Sequence, residues 1–164
     1  MSKGYSGLFH NTHGTRAVPG NLSLGPNDRY HTYIAKRSDI DTDGYFDIIA
    51  HGSSKTIEIV HNGISKPIDH RVAARLFKNK PELINKPIRL LSCNTGRISH
   101  GFAQGLADRL NVPVIAPTDY IWANPDGTHF IAAGKTVAGK LVPIRNKPGK
   151  FKTFYPHKKG EKRI

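Results

Sequence analysis

A cysteine and a histidine each follow a short apolar segment of the sequence, and together this pair could do nucleophilic chemistry. His51 comes directly after residues 45–50, YFDIIA, and Cys93 comes directly after residues 88–92, IRLLS. The thiolate is the reactive form of cysteine, but a free thiol is only a few per cent ionised near neutral pH. A neighbouring imidazole can accept the thiol proton and later protonate the leaving group. The two residues therefore predict a catalytic pair for acyl transfer, with Cys93 as the nucleophile and His51 as the base.

The residues beside this pair are small or polar, as a substrate site requires. Gly52 leaves room for a substrate backbone, and N–H groups around Gly52 and Cys93 could stabilise an oxyanion by a few kcal/mol per donor. Ser92 and Asn94 flank the thiol. Asp119 follows a third apolar segment, where it could orient the imidazole or contact the substrate. We therefore take Gly52, Ser92, Asn94 and Asp119 as candidate oxyanion and substrate contacts.

Both candidate catalytic residues also have a structural interpretation. A single cysteine often packs as a small apolar side chain, and Asp47, inside the first segment, is expected to make a structural hydrogen bond. If Cys93 packs in this way, the chain is a catalytically inert binding module on the same fold. A helix expected to begin near Gly101 favours the catalytic interpretation, because its positive end would lower the pKa of the thiol.

The elements that must position this pair follow from the apolar pattern. Residues 45–50, 88–92 and 112–116 are short and almost continuously apolar, which is typical of strands buried on both faces of a parallel sheet. Between them, apolar residues recur at helical spacing after Asp69, a predicted N-cap, and again over 102–110. This alternation predicts an α/β fold with a mostly parallel sheet flanked by helices. Ligands collect at the carboxyl ends of such strands, so the thiol and the imidazole should lie close together.

Shorter patterns predict the remaining elements. Residues 31–35 are interpreted as a short strand, and the alternation in 56–60 followed by Asn62-Gly63 predicts a hairpin. Short apolar pieces in 120–155 predict a β-rich C-terminal decoration. With 164 residues the chain has the length of one ordinary domain. We expect an irregular leader over 1–28, a single α/β domain over 29–156 and a basic tail over 157–164.

Composition limits the classes of protein that fit. No stretch of 18 apolar residues is present, so no membrane span is expected. The first residues, MSKGYSGLFHN, lack the apolar stretch of a signal peptide. The sequence therefore predicts a soluble protein.

The basic C-terminal region suggests a second class of function. The formal net charge is +13, and residues 135–164 hold ten Lys or Arg and one acidic residue. Such a region can bind nucleic acid or an acidic protein. A nuclease or nucleic-acid-binding toxin that uses this region is therefore an alternative to the hydrolase.

The nine histidines do not indicate a metal centre. None of them belongs to an HExxH motif or to a paired Cys/His set, so neither zinc nor another cofactor is predicted. A phosphate-binding loop and a dinucleotide fingerprint are also absent from the sequence. A metal-dependent nuclease would have to assemble its site in space, for example from His61, Asp69 and His70.

The two segments that end in the candidate pair resemble the caspase-like (clan CD) cysteine peptidases. The matching stretches are YFDIIAHGSS and IRLLSCNTG, and the closest similarity is to the bacterial CHAT branch. The stretch FAQGLADRLNVPVIAPTDYIWANPDG and the later KTFYP resemble C-terminal modules of bacterial polymorphic toxins. The resemblance implies a caspase-like fold with His51 as the general base, Cys93 as the nucleophile and Gly52 as an oxyanion contributor.

The same resemblance implies a role and a location. It suggests a toxin effector domain that is secreted or delivered into a target cell as part of a larger protein. There it would act in the cytoplasm as a cysteine protease and cleave a peptide bond of a target protein. An acidic immunity protein is an expected partner, because a strongly basic surface favours a complementary inhibitor.

Overall fold

The computed structural model of the protein describes residues 16–18, 21–24, 28–39 and 44–157. The elements in chain order are β1 (Arg16–Val18), β2 (Asn21–Ser23), α1 (Arg29–Ile34), β3 (Phe46–Ile49), β4 (His51–Gly52), β5 (Ile57–His61), β6 (Ile64–Ile68), α2 (His70–Lys78), a 3-10 helix (Pro81–Leu83), β7 (Ile88–Leu91), α3 (Phe102–Leu110), β8 (Val114–Pro117), β9 (Tyr120–Ala123), β10 (His129–Val137), β11 (Lys140–Pro148) and β12 (Phe151–Phe154). None of the described helices combines the length and the apolar character needed to cross a membrane.

The main sheet has the strand order β1-β2-β3-β7-β8-β12. Its four central strands, β2, β3, β7 and β8, run parallel, and β1 and β12 pair antiparallel at the two edges. Two small antiparallel sheets, β4-β5-β6 and β9-β10-β11, complete the fold. The predicted α/β class and the mostly parallel sheet are therefore confirmed.

The central strands form where the sequence is almost continuously apolar. All four residues of β3 are buried, and so are three of the four in β7, because both faces of the sheet are covered. Helices α2 and α3 pack their apolar faces into the same core cluster, which includes Leu76, Phe77, Phe102 and Leu106. Burial of these side chains holds the carboxyl ends of the strands in a fixed arrangement.

The predicted N-cap of α2 and the predicted hairpin are also confirmed. The carboxylate of Asp69 caps α2 by accepting the N–H groups of Arg71 and Val72 at 3.0 and 3.1 Å. Asn111 ends α3 in the left-handed conformation, with φ of 55°. Asn62 and Gly63 join β5 to β6 with positive φ at both positions, the turn that best fits the twist of a hairpin.

Two predictions near the N-terminus are wrong. The strand predicted over 31–35 is absent, and these residues belong largely to α1, because Asp28 caps this helix by accepting the His31 N–H at 2.9 Å. The predicted irregular leader over 1–28 contains β1 and β2. Strand β2 pairs parallel with β3, so it belongs to the main sheet. The other parts of this leader, 1–15, 19–20 and 25–27, lie outside the described residues.

The C-terminal region contains both the expected decoration and an integral strand. The β9-β10-β11 sheet is the predicted decoration. Strand β12 instead pairs with β8 in the main sheet and buries Phe154. His157 begins the predicted basic tail, and its N–H and its ring contact the Asp108 carboxylate at 2.9 and 3.0 Å. The rest of that tail lies outside the described residues.

A buried ionic network fastens α1 to the sheet. Asp47 of β3 is 1 % exposed, and its carboxylate accepts hydrogen bonds from Arg37 and Arg89, the shortest at 2.7 Å in each case. Arg89 of β7 also donates to Asp39 at 2.9 Å, and the ring of His129 contacts Asp39 at 2.9 Å. Asp47 thus has the structural role expected from the sequence. The network connects the segment that follows α1 to two central strands.

Candidate active site

The carboxyl ends of β3 and β7 lie at the same level of one sheet edge. Ile49 pairs with Leu91, and His51 and Cys93 each follow two residues later. The two chain segments are very close at this point. A Cβ atom built on Gly52 would lie 3.1 Å from the carbonyl oxygen of Cys93. The same Cβ atom would lie 2.9 Å from Cγ2 of Thr95, so a side chain at position 52 would require these neighbours to shift.

His51 and Cys93 line one open pocket of about 530 Å³. The imidazole is 38 % exposed, and Cys93 is half-buried. The other walls come from α1, β9 and β11, and they include Asp28, Tyr30, Tyr33, Tyr120, Ile121, Trp122, Leu141 and Pro143. The pocket is thus mainly aromatic and apolar, with the imidazole, the thiol and one carboxylate as its chemically reactive groups.

Asp28 holds His51 in a defined orientation. One oxygen of the Asp28 carboxylate is hydrogen-bonded to Nε2 of His51, and the other contacts Nδ1 of His31 at 2.7 Å. Burial raises the pKa of Asp28, but hydrogen bonds from the His31 backbone and from the two rings outweigh burial and lower the pKa to about 2. Because an ionised carboxylate only accepts hydrogen bonds, Nε2 of His51 carries the proton and Nδ1 is left as a base. Among the described residues, this Nδ1 has no hydrogen-bond partner.

The thiol of Cys93 is neutral in this conformation. Its Sγ donates to the carbonyl oxygen of Ile121 at 3.8 Å, and burial raises the pKa of the thiol. The expectation that α3 lowers this pKa is therefore wrong. The first N–H groups of α3, those of Phe102 and Ala103, donate to backbone carbonyl oxygens of Ser54 and Thr95 at 2.9 and 3.3 Å. The positive end of this helix is used to fix the loops beside the site.

Tyr30 connects α1 to the end of β7. Its hydroxyl donates to the carbonyl oxygen of Leu91 at 2.7 Å, and its ring centroid lies 5.7 Å from that of His51. Burial raises the pKa of Tyr30, so the phenol stays neutral. Sequence reasoning missed Tyr30 and Asp28. The one available signal was an aspartate three residues before His31, the spacing of a helix N-cap and its first-turn partner.

None of the four predicted substrate contacts, Gly52, Ser92, Asn94 and Asp119, is among the residues that line this pocket. Ser92 is fully buried, and its hydroxyl has no partner among the described residues, so it faces the protein interior. Asp119 pairs with Arg97 at 3.2 Å and accepts from Thr118 at 2.9 Å. The prediction that Asp119 could orient the imidazole is wrong, because Asp28 occupies that position.

Asn94 and Gly52 have different fates. Asn94 lines a neighbouring polar pocket of about 450 Å³ together with Asp119. Its backbone N–H donates to the carbonyl oxygen of Asp119 at 2.9 Å, so this N–H does not serve as an oxyanion donor. Gly52 lies beside Cys93.

Two of the histidines form a cluster with Asp28 that no sequence motif indicates. Within the described part of the chain, Asp28, His31 and His51 are the group of three whose metal-ligating atoms lie within 4.8 Å of one another. His61, Asp69 and His70, named for a metal-dependent nuclease, do not form such a group among the described residues. Asp69 instead uses its carboxylate to cap α2.

Comparison with known proteins identifies a family. The model of a domain of unknown function, DUF8616, matches residues 19–131, which include Asp28, His51 and Cys93. No curated protein and no solved structure matches the chain significantly. Since the match covers more than half of the chain, the protein belongs to the DUF8616 family.

Proposed function

We propose that the protein is a cysteine hydrolase of the caspase-like type that cleaves peptide bonds. In this proposal Cys93 is the nucleophile, His51 moves the proton and Asp28 orients His51. One observation carries the proposal. The thiol and the imidazole line the same pocket, and a carboxylate is hydrogen-bonded to the ring nitrogen that would not receive the thiol proton.

The protonation states support a general-base mechanism instead of a preformed ion pair. The thiol first leaves the carbonyl oxygen of Ile121 and passes its proton to Nδ1 of His51 while sulfur bonds to the substrate carbonyl carbon. The imidazolium, stabilised by Asp28, then protonates the leaving amine as the carbon–nitrogen bond breaks. Water next attacks the thioester, and the same ring accepts its proton and returns it to sulfur. Backbone N–H groups near Gly52 stabilise the oxyanion in both steps.

Sequence resemblance supports both the fold type and the biological role in this proposal. A His-Gly pair and a cysteine at the ends of adjacent parallel strands are the arrangement of the caspase-like peptidases. The similarity of residues 102–127 and 152–156 to toxin modules extends the proposal to an effector domain. This effector domain would be delivered into a target cell and cleave a protein there. In the producing cell an acidic partner protein would hold it inactive.

The orienting role of Asp28 can be tested by covalent labelling. We expect His51→Gln to slow modification of Cys93 by a peptide electrophile about 10²-fold or more, since the base is removed. Asp28→Asn keeps the helix cap but lets an amide donate to Nε2 of His51, which favours the wrong tautomer of the ring. We therefore expect the rate of Cys93 labelling to fall at least about tenfold. Time courses of intact-protein mass give the rates.

An exposed histidine provides the control for this experiment. His100 lies outside the pocket, so His100→Gln should label at the wild-type rate. Labelling of His51→Gln at that same rate would remove His51 from the mechanism.

A second function, nucleic-acid binding, is supported by the charge of the β10–β11 ribbon. Residues 127–157 contain no Asp or Glu. Lys135, Lys140, Arg145 and Lys147 are all exposed along the two strands of the ribbon. An extended basic surface of this kind can contact several phosphate groups along a nucleic-acid backbone.

Charge reversal tests the second function. The triple variant Lys135→Glu, Lys140→Glu, Lys147→Glu should weaken binding of a labelled duplex and lower the salt slope by about one for each phosphate group that is no longer neutralised. Fluorescence anisotropy at several salt concentrations measures both. Arg145 is kept because its guanidinium stacks on Phe130 at 4.4 Å. Equal binding of the duplex by the variant and the wild type would rule out the ribbon as a nucleic-acid-binding surface. Deletion of 145–164 is unsuitable, because it removes β12 from the main sheet.

A further inference from the structure

Two histidines and one carboxylate converge on the α1 side of the pocket. Asp28 caps α1, His31 lies in its first turn, and His51 begins β4. Their ligating atoms lie within 4.8 Å of one another, and the rings of the two histidines meet edge to face with centroids 4.9 Å apart. Because a helix cap, a helix turn and a strand hold these groups, the cluster has a fixed geometry.

We propose that Asp28, His31 and His51 bind a divalent transition-metal ion of the Zn²⁺ type, and that the bound ion switches off the Cys93–His51 pair. Two imidazoles and one carboxylate are a ligand set that holds Zn²⁺ while leaving a fourth position open. Tetrahedral ligands at ordinary zinc distances are about 3.4 Å apart. The contacts of Asp28 with His31, at 2.7 Å, and with His51 therefore both need to widen for an ion to bind.

The state of the three groups suits a metal ion. His31 is 6 % exposed, and its Nε2 has no hydrogen-bond partner among the described residues. Coordination of a metal ion by Nδ1 of His31, the nitrogen that contacts Asp28, would therefore place the proton of that ring on Nε2. Coordination at Nε2 of His51 would move the proton of that ring to Nδ1.

The inhibitory half of this inference rests on the proposed function. A neutral imidazole that coordinates a cation through Nε2 carries its proton on Nδ1, so Nδ1 of His51 could no longer accept the thiol proton. The ion also takes the carboxylate of Asp28 away from its orienting hydrogen bond. Metal occupancy and proton transfer by His51 are therefore mutually exclusive, and the same three residues would set the metal concentration at which the hydrolase stops.

Cobalt binding tests the site without any reference to catalysis. The full chain carrying Cys93→Ala is titrated with Co²⁺, so that no thiolate can act as a ligand, and visible absorption reports a low-symmetry bound ion. We expect one ion per chain, displaced by Zn²⁺. Adding His31→Gln should weaken binding at least about tenfold. Asp28→Asn keeps the helix cap and should weaken Co²⁺ binding to a similar extent. This variant is used in place of His31→Gln if the His31 variant does not fold. His100→Gln, at an exposed position, should leave binding unchanged.

The outcomes of these experiments test three claims separately: that the three residues bind a metal ion, that the bound ion inhibits Cys93, and that the protein is a hydrolase. No Co²⁺ signal, or equal affinity with and without His31→Gln, overturns the metal site. A signal abolished by His31→Gln supports it, whether or not the wild-type chain hydrolyses any peptide. Zn²⁺ should then slow the electrophile labelling of wild-type Cys93 at least about tenfold, and EDTA should restore it. Labelling that is unchanged at saturating Zn²⁺ overturns the switch.

Discussion

Replacing Cys93 by alanine is expected to abolish peptide hydrolysis, with a loss of about 10³-fold or more in rate, while the fold is kept. The chain has one cysteine, so no other thiol can replace the nucleophile. The structural effect should be small, because the substitution removes one sulfur atom at the margin of an apolar cluster. Cleavage of a quenched-fluorescence peptide library measures the activity, and circular dichroism on heating measures the fold.

Ser92→Ala is the matched control for this prediction. It changes the adjacent residue, whose hydroxyl is buried and has no partner among the described residues, so neither stability nor hydrolysis should fall. If Cys93→Ala cleaved peptides as fast as Ser92→Ala, Cys93 would not be the nucleophile. If neither the wild type nor any variant cleaved peptides, and Cys93 were not labelled by the peptide electrophile, the chain would be the catalytically inert binding module described above.

Replacing Asp47 by asparagine is expected to lower the free energy of unfolding by about 3–5 kcal/mol, because the change breaks a buried ion pair and leaves a charge uncompensated. The Arg37 side chain is 1 % exposed, and Arg89 faces the same carboxylate. A domain of this size has a total stability of about 5–15 kcal/mol, so the loss is a large part of it. Urea unfolding followed by circular dichroism gives the difference.

The same substitution at an exposed ion pair provides the comparison. Asp119 pairs with Arg97, whose side chain is 58 % exposed, so Asp119→Asn should cost less than about 1 kcal/mol. If Asp47→Asn and Asp119→Asn lowered the free energy of unfolding equally, burial would not explain the contribution of the Asp47 network to stability. Because Arg37 follows α1, Asp47→Asn should also slow labelling of Cys93 under conditions in which the variant is still folded.

The sequence predicts the centre of the fold well because burial there leaves a strong pattern. Residues 45–50 and 88–92 are almost continuously apolar, and the structure has β3 and β7 within them. Asp69 and Asn111 mark helix ends through chemistry that local backbone geometry determines. From these elements alone, His51 and Cys93 could be assigned to one sheet edge.

The third member of the site could not be predicted in this way. Asp28 meets His51 through a contact between residues distant in the sequence, and β2, which leads into α1, has only three residues and no recognisable periodicity. The neutral state of Cys93 depends on burial and on the carbonyl oxygen of Ile121. Local patterns do not report such tertiary surroundings, so the sequence overestimated the acidity of the thiol.

The pairing of β12 with β8 has a consequence for how the chain is made. A ribosome releases β8 before β9, β10 and β11, and β12 emerges last of the described strands. Until then, the nascent chain presents Val114–Pro117 as an unpaired apolar edge, which is a surface that recruits strands from other molecules. Premature termination between Pro117 and Phe151 would make this exposure permanent, so shortened products should accumulate in inclusion bodies while full-length protein stays in solution.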